Sequence, residues 1–251
     1  MIIRTMPHTV IRRFAVILLA LLGIPAKEAT AAGVEGDFRR DREKMVREQI
    51  ETRGVRDQRV LAAMRSVPRH RFVPADQVAA AYLDTPLPIG YDQTISQPYI
   101  VALMTELARP SAGERALEIG TGSGYQAAVL AQLVDHVYTI EIVEPLARQA
   151  ARNLEGEKAG NVTVRVGDGY GGWPEHAPFD VILVTAAPDH IPQPLLDQLK
   201  PGGRMVVPVG PVHAIQQLKL IEKDEAGRVR TKRIADVRFV PLKRDDPRKK
   251  P

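Results

Sequence analysis

Residues 116–126, Ala-Leu-Glu-Ile-Gly-Thr-Gly-Ser-Gly-Tyr-Gln, constrain the fold more than any other stretch. The apolar run Ala116 to Ile119 has the length of a buried parallel strand. Gln126 to Val134 follows, rich in Ala and Leu, and reads as a helix packed on that strand. Between them stand Gly120, Gly122 and Gly124, which allow positive φ and carry no Cβ atoms. A ligand can therefore lie against the backbone at a helix N-terminus, as nucleotides do.

The spacing narrows the ligand. A dinucleotide fingerprint, G-x-G-x-x-G, requires its third glycine at position 125. Tyr125 stands there, and Glu118 precedes the turn by two residues. A carboxylate at the strand end repels a pyrophosphate and suits a cation. S-adenosylmethionine, with its sulfonium and α-ammonium and no phosphate, fits that demand. The nicotinamide-dependent oxidoreductase, the rival user of such a turn, lacks its third glycine here.

Further along, the chain alternates. Strands are expected at Val137 to Ile140, Val162 to Val166, Asp180 to Thr185 and Arg204 to Val209, with helices over Pro145 to Leu154 and Gln193 to Leu199. Lys200-Pro201-Gly202-Gly203 reads as a turn, and Ile215 to Glu222 with Arg233 to Val240 as a closing hairpin. The pattern predicts an α/β, doubly wound, Rossmann-like sheet with an N-terminal helical extension and a C-terminal hairpin. Glu141 falls at the end of the second strand, where an acid accepts ribose hydroxyls. Asp168, in the turn Gly167-Asp168-Gly169 after the third, is placed to accept from an adenine amine. A lone acid is usually a solvated surface group. Three at adjacent strand ends favour an adenosine-bearing cation.

The N-terminal extension reads as helices over Phe38 to Arg53, ended by Gly54, and from an Asp57 cap through Met64. The proline-bracketed Val67 to Pro74 is not helical, and its Arg69, His70 and Arg71 read as a solvated loop or an anion site. A short helix, Ala75 to Tyr82, follows. Residues 84–98 hold three prolines and a glycine among apolar and hydroxyl residues, so an ordered, irregular, functional loop is expected. It leads into the helix Tyr99 to Leu107, with Ser96 at its N-terminus, a place that welcomes a carboxylate.

Composition removes other classes. There is no cysteine, so disulfides and thiolate chemistry are excluded, and the six histidines show no ligand spacing, so no metal is expected. Of the net charge of +5, residues 1–32 and 243–251 carry +3 each, leaving 33–242 at −1. A nucleic-acid partner calls for basic residues clustered on the folded body, and none is expected. Residues 1–32 read as a signal-like segment: Arg4, Arg12 and Arg13 before the apolar Phe14 to Ile24, then Ala29-Thr30-Ala31 as a cleavage site. The apolar run is short for a membrane span.

The turn Leu117 to Tyr125 resembles motif I of S-adenosylmethionine-dependent methyltransferases. Together with Gln93-Thr94-Ile95-Ser96-Gln97-Pro98, Val67 to Pro74, Leu199 to Arg204 and Phe239-Val240-Pro241-Leu242, it resembles the protein-L-isoaspartate O-methyltransferases from about Met45 to Leu242. Asp92 departs from the pattern, standing where the family more often has glycine. The resemblance implies S-adenosylmethionine as cofactor and transfer of its methyl group to the free α-carboxylate of L-isoaspartyl residues in damaged proteins. It implies Ser96 as the catalytic residue holding that carboxylate, and Thr94, Ile95, Val240 and Leu242 as substrate contacts. Cofactor contacts are expected from Glu118, Gly120, Thr121, Gly122, Gly124, Glu141, Asp168 and Gly169. Isoaspartyl proteins and peptides are then the partners of a monomer. The implied division is a signal-like segment 1–32, a helical and substrate-loop region 33–98, a cofactor-binding domain 99–242 and a basic tail 243–251. The family places the working enzyme in the cytoplasm; the leader points to the periplasm.

Overall fold

A computed structural model describes residues 37–212 and 214–245, so the signal-like segment and the last six residues of the tail lie outside the described residues. Residues 37–45 are helical (α1) and run into a π-turn, Val46–Ile50, and a 3-10 turn, Glu51–Arg53. Met45, Val46 and Ile50 are fully buried, as the amphipathic pattern predicts, and Gly54 ends the segment at φ +97°. Asp57 caps α2 (Gln58–Ser66), accepting the Arg59 N–H at 2.9 Å.

Two expectations for this region are corrected. Residues 69–72 form a 3-10 turn where no helical structure is expected, and Arg69 is fully buried, with Nε donating to Ala81 O at 2.8 Å, while Arg71 stays exposed. The loop 84–98 contains a small antiparallel hairpin, β1 (Leu87–Gly90) and β2 (Gln93–Ile95). Its turn residues Tyr91 and Asp92 both have left-handed φ, 55° and 57°, as two-residue hairpin turns require. Asp adopts that region more readily than most residues, which accounts for Asp92 in place of glycine.

After α3 (Pro98–Ala108) comes the sheet. Its strands are β3 (Arg115–Ile119), β4 (His136–Glu141), β5 (Val162–Val166), β6 (Phe179–Val184), β7 (Leu199–Val209), β8 (Gln216–Lys223) and β9 (Val229–Val237). The spatial order is β5-β4-β3-β6-β7-β8-β9, parallel through β7 and antiparallel beyond. Helices α4 (Tyr125–Ala131), α5 (Glu144–Gly156) and α6 (Gln193–Gln198) make the crossovers β3 to β4, β4 to β5 and β6 to β7. Right-handed crossovers that step to one side of β3 and then to the other put helices on opposite faces. Lys200 to Gly203 lies inside β7, where the pairing with β6 shifts register, rather than forming a free turn. The closing hairpin ends at Val237, so Val240 and Leu242 fall in the run beyond it. Leu117, Ile119, Ile182, Val184, Met205 and Val207 form the centre of the core, each at most 1% exposed.

Candidate active site

The strand order reverses between β3 and β6, and in open α/β sheets ligands bind beyond the strand carboxyl ends at such a point. At the end of β3, Gly120 has φ +96°, and a Cβ built on it would lie 2.7 Å from Thr185 Oγ1, just past β6. The Thr185 hydroxyl donates to Gly120 O at 2.6 Å, with Ile119 O 2.9 Å away. Glu141, at the end of β4, accepts the Gly122 N–H at 2.8 Å through Oε2 and the Val143 N–H at 2.9 Å through Oε1. Its carboxylate thus fixes the glycine turn, and each oxygen keeps a lone pair for a ligand hydroxyl. Tyr125, in the place of the missing third glycine, is buried edge-on against Phe72 at 5.6 Å.

Glu118 is fully buried. The β3–β4 register sets it beside Thr139, whose hydroxyl donates to Oε2 at 2.6 Å; Thr121 Oγ1 lies 2.7 Å from that of Thr139. The other oxygen, Oε1, has no hydrogen-bond partner among the described residues. Burial pushes the Glu118 pKa up to about 8, with the nearby charge of Glu141 adding to the rise and the Thr139 bond opposing it. A buried, unpartnered acceptor beside a backbone cradle is what a ligand ammonium would satisfy.

Asp168 is engaged within the protein. It caps the 3-10 turn Gly169–Gly171 by accepting the Tyr170 N–H at 2.9 Å through Oδ1. Its Oδ2 accepts the Asp245 N–H at 3.2 Å, with Arg244 Nε 3.5 Å away, so residues of the tail occupy the carboxylate. Gly169 has a packing reason: a Cβ there would lie 2.5 Å from Ile119 Cγ2.

Ser96 lies between β2 and α3. The cap of α3 is Gln97, with Pro98 at the first helical position, so Ser96 does not cap the helix. Neither its hydroxyl nor that of Thr94 has a hydrogen-bond partner among the described residues. Both line a cavity of about 50 Å³ shared with Glu118, Gly122, Glu141 and Thr185, and both line the adjoining groove of about 450 Å³. Val240 lines both as well. The buried Ile95 lines the inner cavity. Ala187 holds the far wall: its N–H donates to Val240 O at 2.8 Å and its carbonyl accepts the Leu242 N–H at 2.9 Å. Leu242 and Lys243 close a second cavity of about 30 Å³ over Ile119, Glu141 and Gly169.

These two cavities are small beside the roughly 300–1,000 Å³ of ligand pockets. The β1–β2 hairpin and residues 241–243 overhang them, and Lys243 Nζ reaches Tyr91 O at 3.4 Å. Admitting a nucleoside requires these two elements to part. A larger cavity, about 610 Å³, shares only Ser123 with the cleft and is lined elsewhere by residues such as Ile89, Gln149 and Arg152. It contains none of the acids at the strand ends.

A family model described as protein-L-isoaspartate(D-aspartate) O-methyltransferase matches residues 40–246. The chain belongs to the protein-L-isoaspartate O-methyltransferase family. Curated relatives of that name include one from Opitutus terrae, 56% identical over 91% of this chain and 98% of the relative. Another, from Gloeobacter violaceus, is 58% identical over 81% and 98%. A solved protein-L-isoaspartate O-methyltransferase, 33% identical, superposes with a TM-score of 0.73 over 80% of this chain and 65% of its own. A structure titled as the Plasmodium falciparum enzyme in complex with S-adenosyl-L-homocysteine gives 0.70 at 26% identity, over 81% and 99%.

This methyltransferase is accordingly an S-adenosylmethionine-dependent enzyme of isoaspartyl repair, and its Rossmann-like sheet is the one expected. Sequence reasoning missed three residues of its cleft. Thr185 carried a usable signal, being the polar residue that ends an apolar strand. Thr139 did not, since only the register of β4 against β3 reveals it. Ser123, buried within the glycine turn, was readable as part of the motif but carried no separate expectation.

Proposed function

We propose that the cleft between β3 and β6 methylates the α-carboxylate of an L-isoaspartyl residue, with Ser96 as the catalytic residue that holds it. The observation that carries this reading is the free Ser96 hydroxyl at the junction of the inner cavity and the outer groove. A peptide carboxylate is ionised near neutrality, its ordinary pKa being about 4, so no general base is needed. Bound S-adenosylmethionine supplies a methyl group already activated on a positively charged sulfur. The protein's task is then to align two reactants in a site shut off from water, a contribution of roughly 7–11 kcal/mol.

Glu118 takes the ligand ammonium, and Glu141 takes the ribose hydroxyls while holding the turn. Gly120, Thr121, Gly122 and Gly124 form the backbone cradle. Gly169 and Asp168 flank the adenine, Asp168 once residues 244–245 release it. Ser96 donates to the carboxylate, Thr94 stands as the alternative donor beside it, and Ile95, Val240 and Leu242 flank the peptide. Transfer to a carboxylate oxygen would leave S-adenosylhomocysteine and a methyl ester, which closes spontaneously to a succinimide when the following backbone nitrogen, losing its proton, displaces methanol. Residues 33–98 serve as the substrate-loop region and 99–242 as the cofactor-binding region.

The enzyme works as a monomer in the cytoplasm and without nucleic acid. Cytosolic supply of the cofactor and the nearly neutral body, −1 over 33–242, support this. No helix among the described residues is long and apolar enough to cross a membrane. A native N-terminus at Ala32 or Gly33 in an extracytoplasmic fraction would reverse the localisation.

The test is Ser96→Ala. Because Ser96 caps nothing, the melting temperature should hold while methylation of an isoaspartyl peptide slows tenfold or more, with unchanged affinity for S-adenosylhomocysteine. A wild-type rate in this variant would move the role to Thr94.

A further inference from the structure

The outer groove extends well beyond the reacting carboxylate, and its charges are unevenly balanced. Beyond Thr94 and Ser96 its wall is formed by Tyr99, Phe239, Arg53 and Arg238. Arg53 is engaged already: its guanidinium lies 3.5 Å over the Tyr99 ring, and Nη1 pairs with Asp84 at 2.6 Å. The one acid of the groove, Asp236, is paired with Arg233 at 2.6 Å. Arg238 is exposed and has no ion-pair partner among the described residues. The groove thus sets Tyr99 and Phe239 beside one uncompensated cation, two residues before Val240.

We propose that Arg238 is a specificity-determining residue, favouring isoaspartyl sites with an acidic side chain on the neighbouring stretch of peptide. This rests on the reading that Thr94, Ser96 and Val240 border the reacting carboxylate. A peptide held there continues into the groove, because all three residues line both spaces. An acidic neighbour meets Arg238 without displacing an existing pair. A basic one meets two guanidinium groups, and the nearby carboxylates, Asp84 and Asp236, are held by Arg53 and Arg233.

The experiment compares kcat/KM for isoaspartyl peptides carrying Glu, Ala or Lys at each of the two positions before and after the isoaspartate. At low salt and at one of these positions, the wild type should prefer Glu over Lys by about five- to tenfold, the scale of an exposed ion pair plus the matching repulsion. In 0.5 M salt the preference should shrink, since exposed charges are then screened. Arg238→Lys should keep it, Arg238→Ala should bring the ratio near one, and Arg238→Glu should invert it. The readout is a ratio between peptides on one enzyme preparation, so partial misfolding of a variant does not mimic the result. The inference is overturned if no position shows a charge preference, or if the preference survives in Arg238→Ala. A wild type that methylates none of the isoaspartyl peptides overturns the underlying reading and this inference together.

Discussion

The role proposed for Glu118 makes cofactor binding a proton-linked event, and the sign of the proton flux follows from its burial. With a pKa near 8, its carboxyl is about nine-tenths protonated at pH 7. Its free Oε1 is where a ligand ammonium should sit, and that cation favours the ionised carboxylate. S-adenosylhomocysteine carries the α-amino group of a free amino acid, held above the roughly 8 of a peptide N-terminus by its own carboxylate, so it is almost fully protonated at pH 7. Forming the charged pair at pH 7 therefore releases about 0.9 proton from Glu118, with almost no compensating uptake. At pH 9 Glu118 has only about 0.1 proton left to release, and the flux is small. Affinity falls by nearly tenfold per unit below pH 7 and levels off above pH 8 until the amine itself deprotonates.

Titration calorimetry of S-adenosylhomocysteine, in buffers of matched pH and different ionisation enthalpy, measures this directly. The slope of observed enthalpy against buffer enthalpy is the proton count. Glu118→Gln should lose the release at pH 7. A zero slope for the wild type at pH 7, or an equal slope in Glu118→Gln, would refute the pairing.

The ligand-free enzyme should lose stability through Glu118 as pH rises from about 4.5 to 8, since the folded state retains a proton that the unfolded chain gives up; the slope is at most about 1.4 kcal/mol per pH unit, and Glu118→Gln should flatten it in denaturant melts. Glu141→Ala should weaken S-adenosylhomocysteine binding by about 1.5–3 kcal/mol in calorimetry, through the freed Gly122 and Val143 N–H groups and the lost ligand contact. Gly169→Ala should destabilise the protein by about 1–3 kcal/mol on chemical denaturation, because its new methyl meets Ile119 Cγ2. Arg69→Ala should cost about 3 kcal/mol by the same assay, while Arg69→Met, which keeps volume without charge, should cost clearly less.

The convergence of the glycine turn and its two acids was legible because it is local. Gly120 to Gly124, Glu118 and Glu141 sit at strand ends that the apolar runs delimit, and the sheet brings them together as those runs imply. What the sequence hid depends on long-range placement. Ser96 illustrates this: beside an apolar helix its hydroxyl reads as a cap, and only the backbone shows that Gln97 takes that position. Asp168 shows the reverse. Its position in the glycine-flanked turn was right, but its second oxygen is met by the N–H of Asp245, 77 residues along the chain.

Arg69 and Glu118 show why buried charge is the hardest thing to read from residues alone. Both are fully enclosed, and burial shifts each toward neutrality, Arg69 down to about 10 and Glu118 up to about 8. Arg69 remains charged at neutral pH, with one bond to Ala81 O and its guanidinium 5.0 Å from the Tyr125 ring, so it acts as a fixed part of the packing. Glu118 crosses its pKa within the working range and keeps an open oxygen at the cleft, so its charge is available to a ligand. Exposure alone does not separate the two. What separates them is where the unsatisfied atoms point: those of Glu118 border the cavity, whereas Arg69 lines neither the cavity nor the groove.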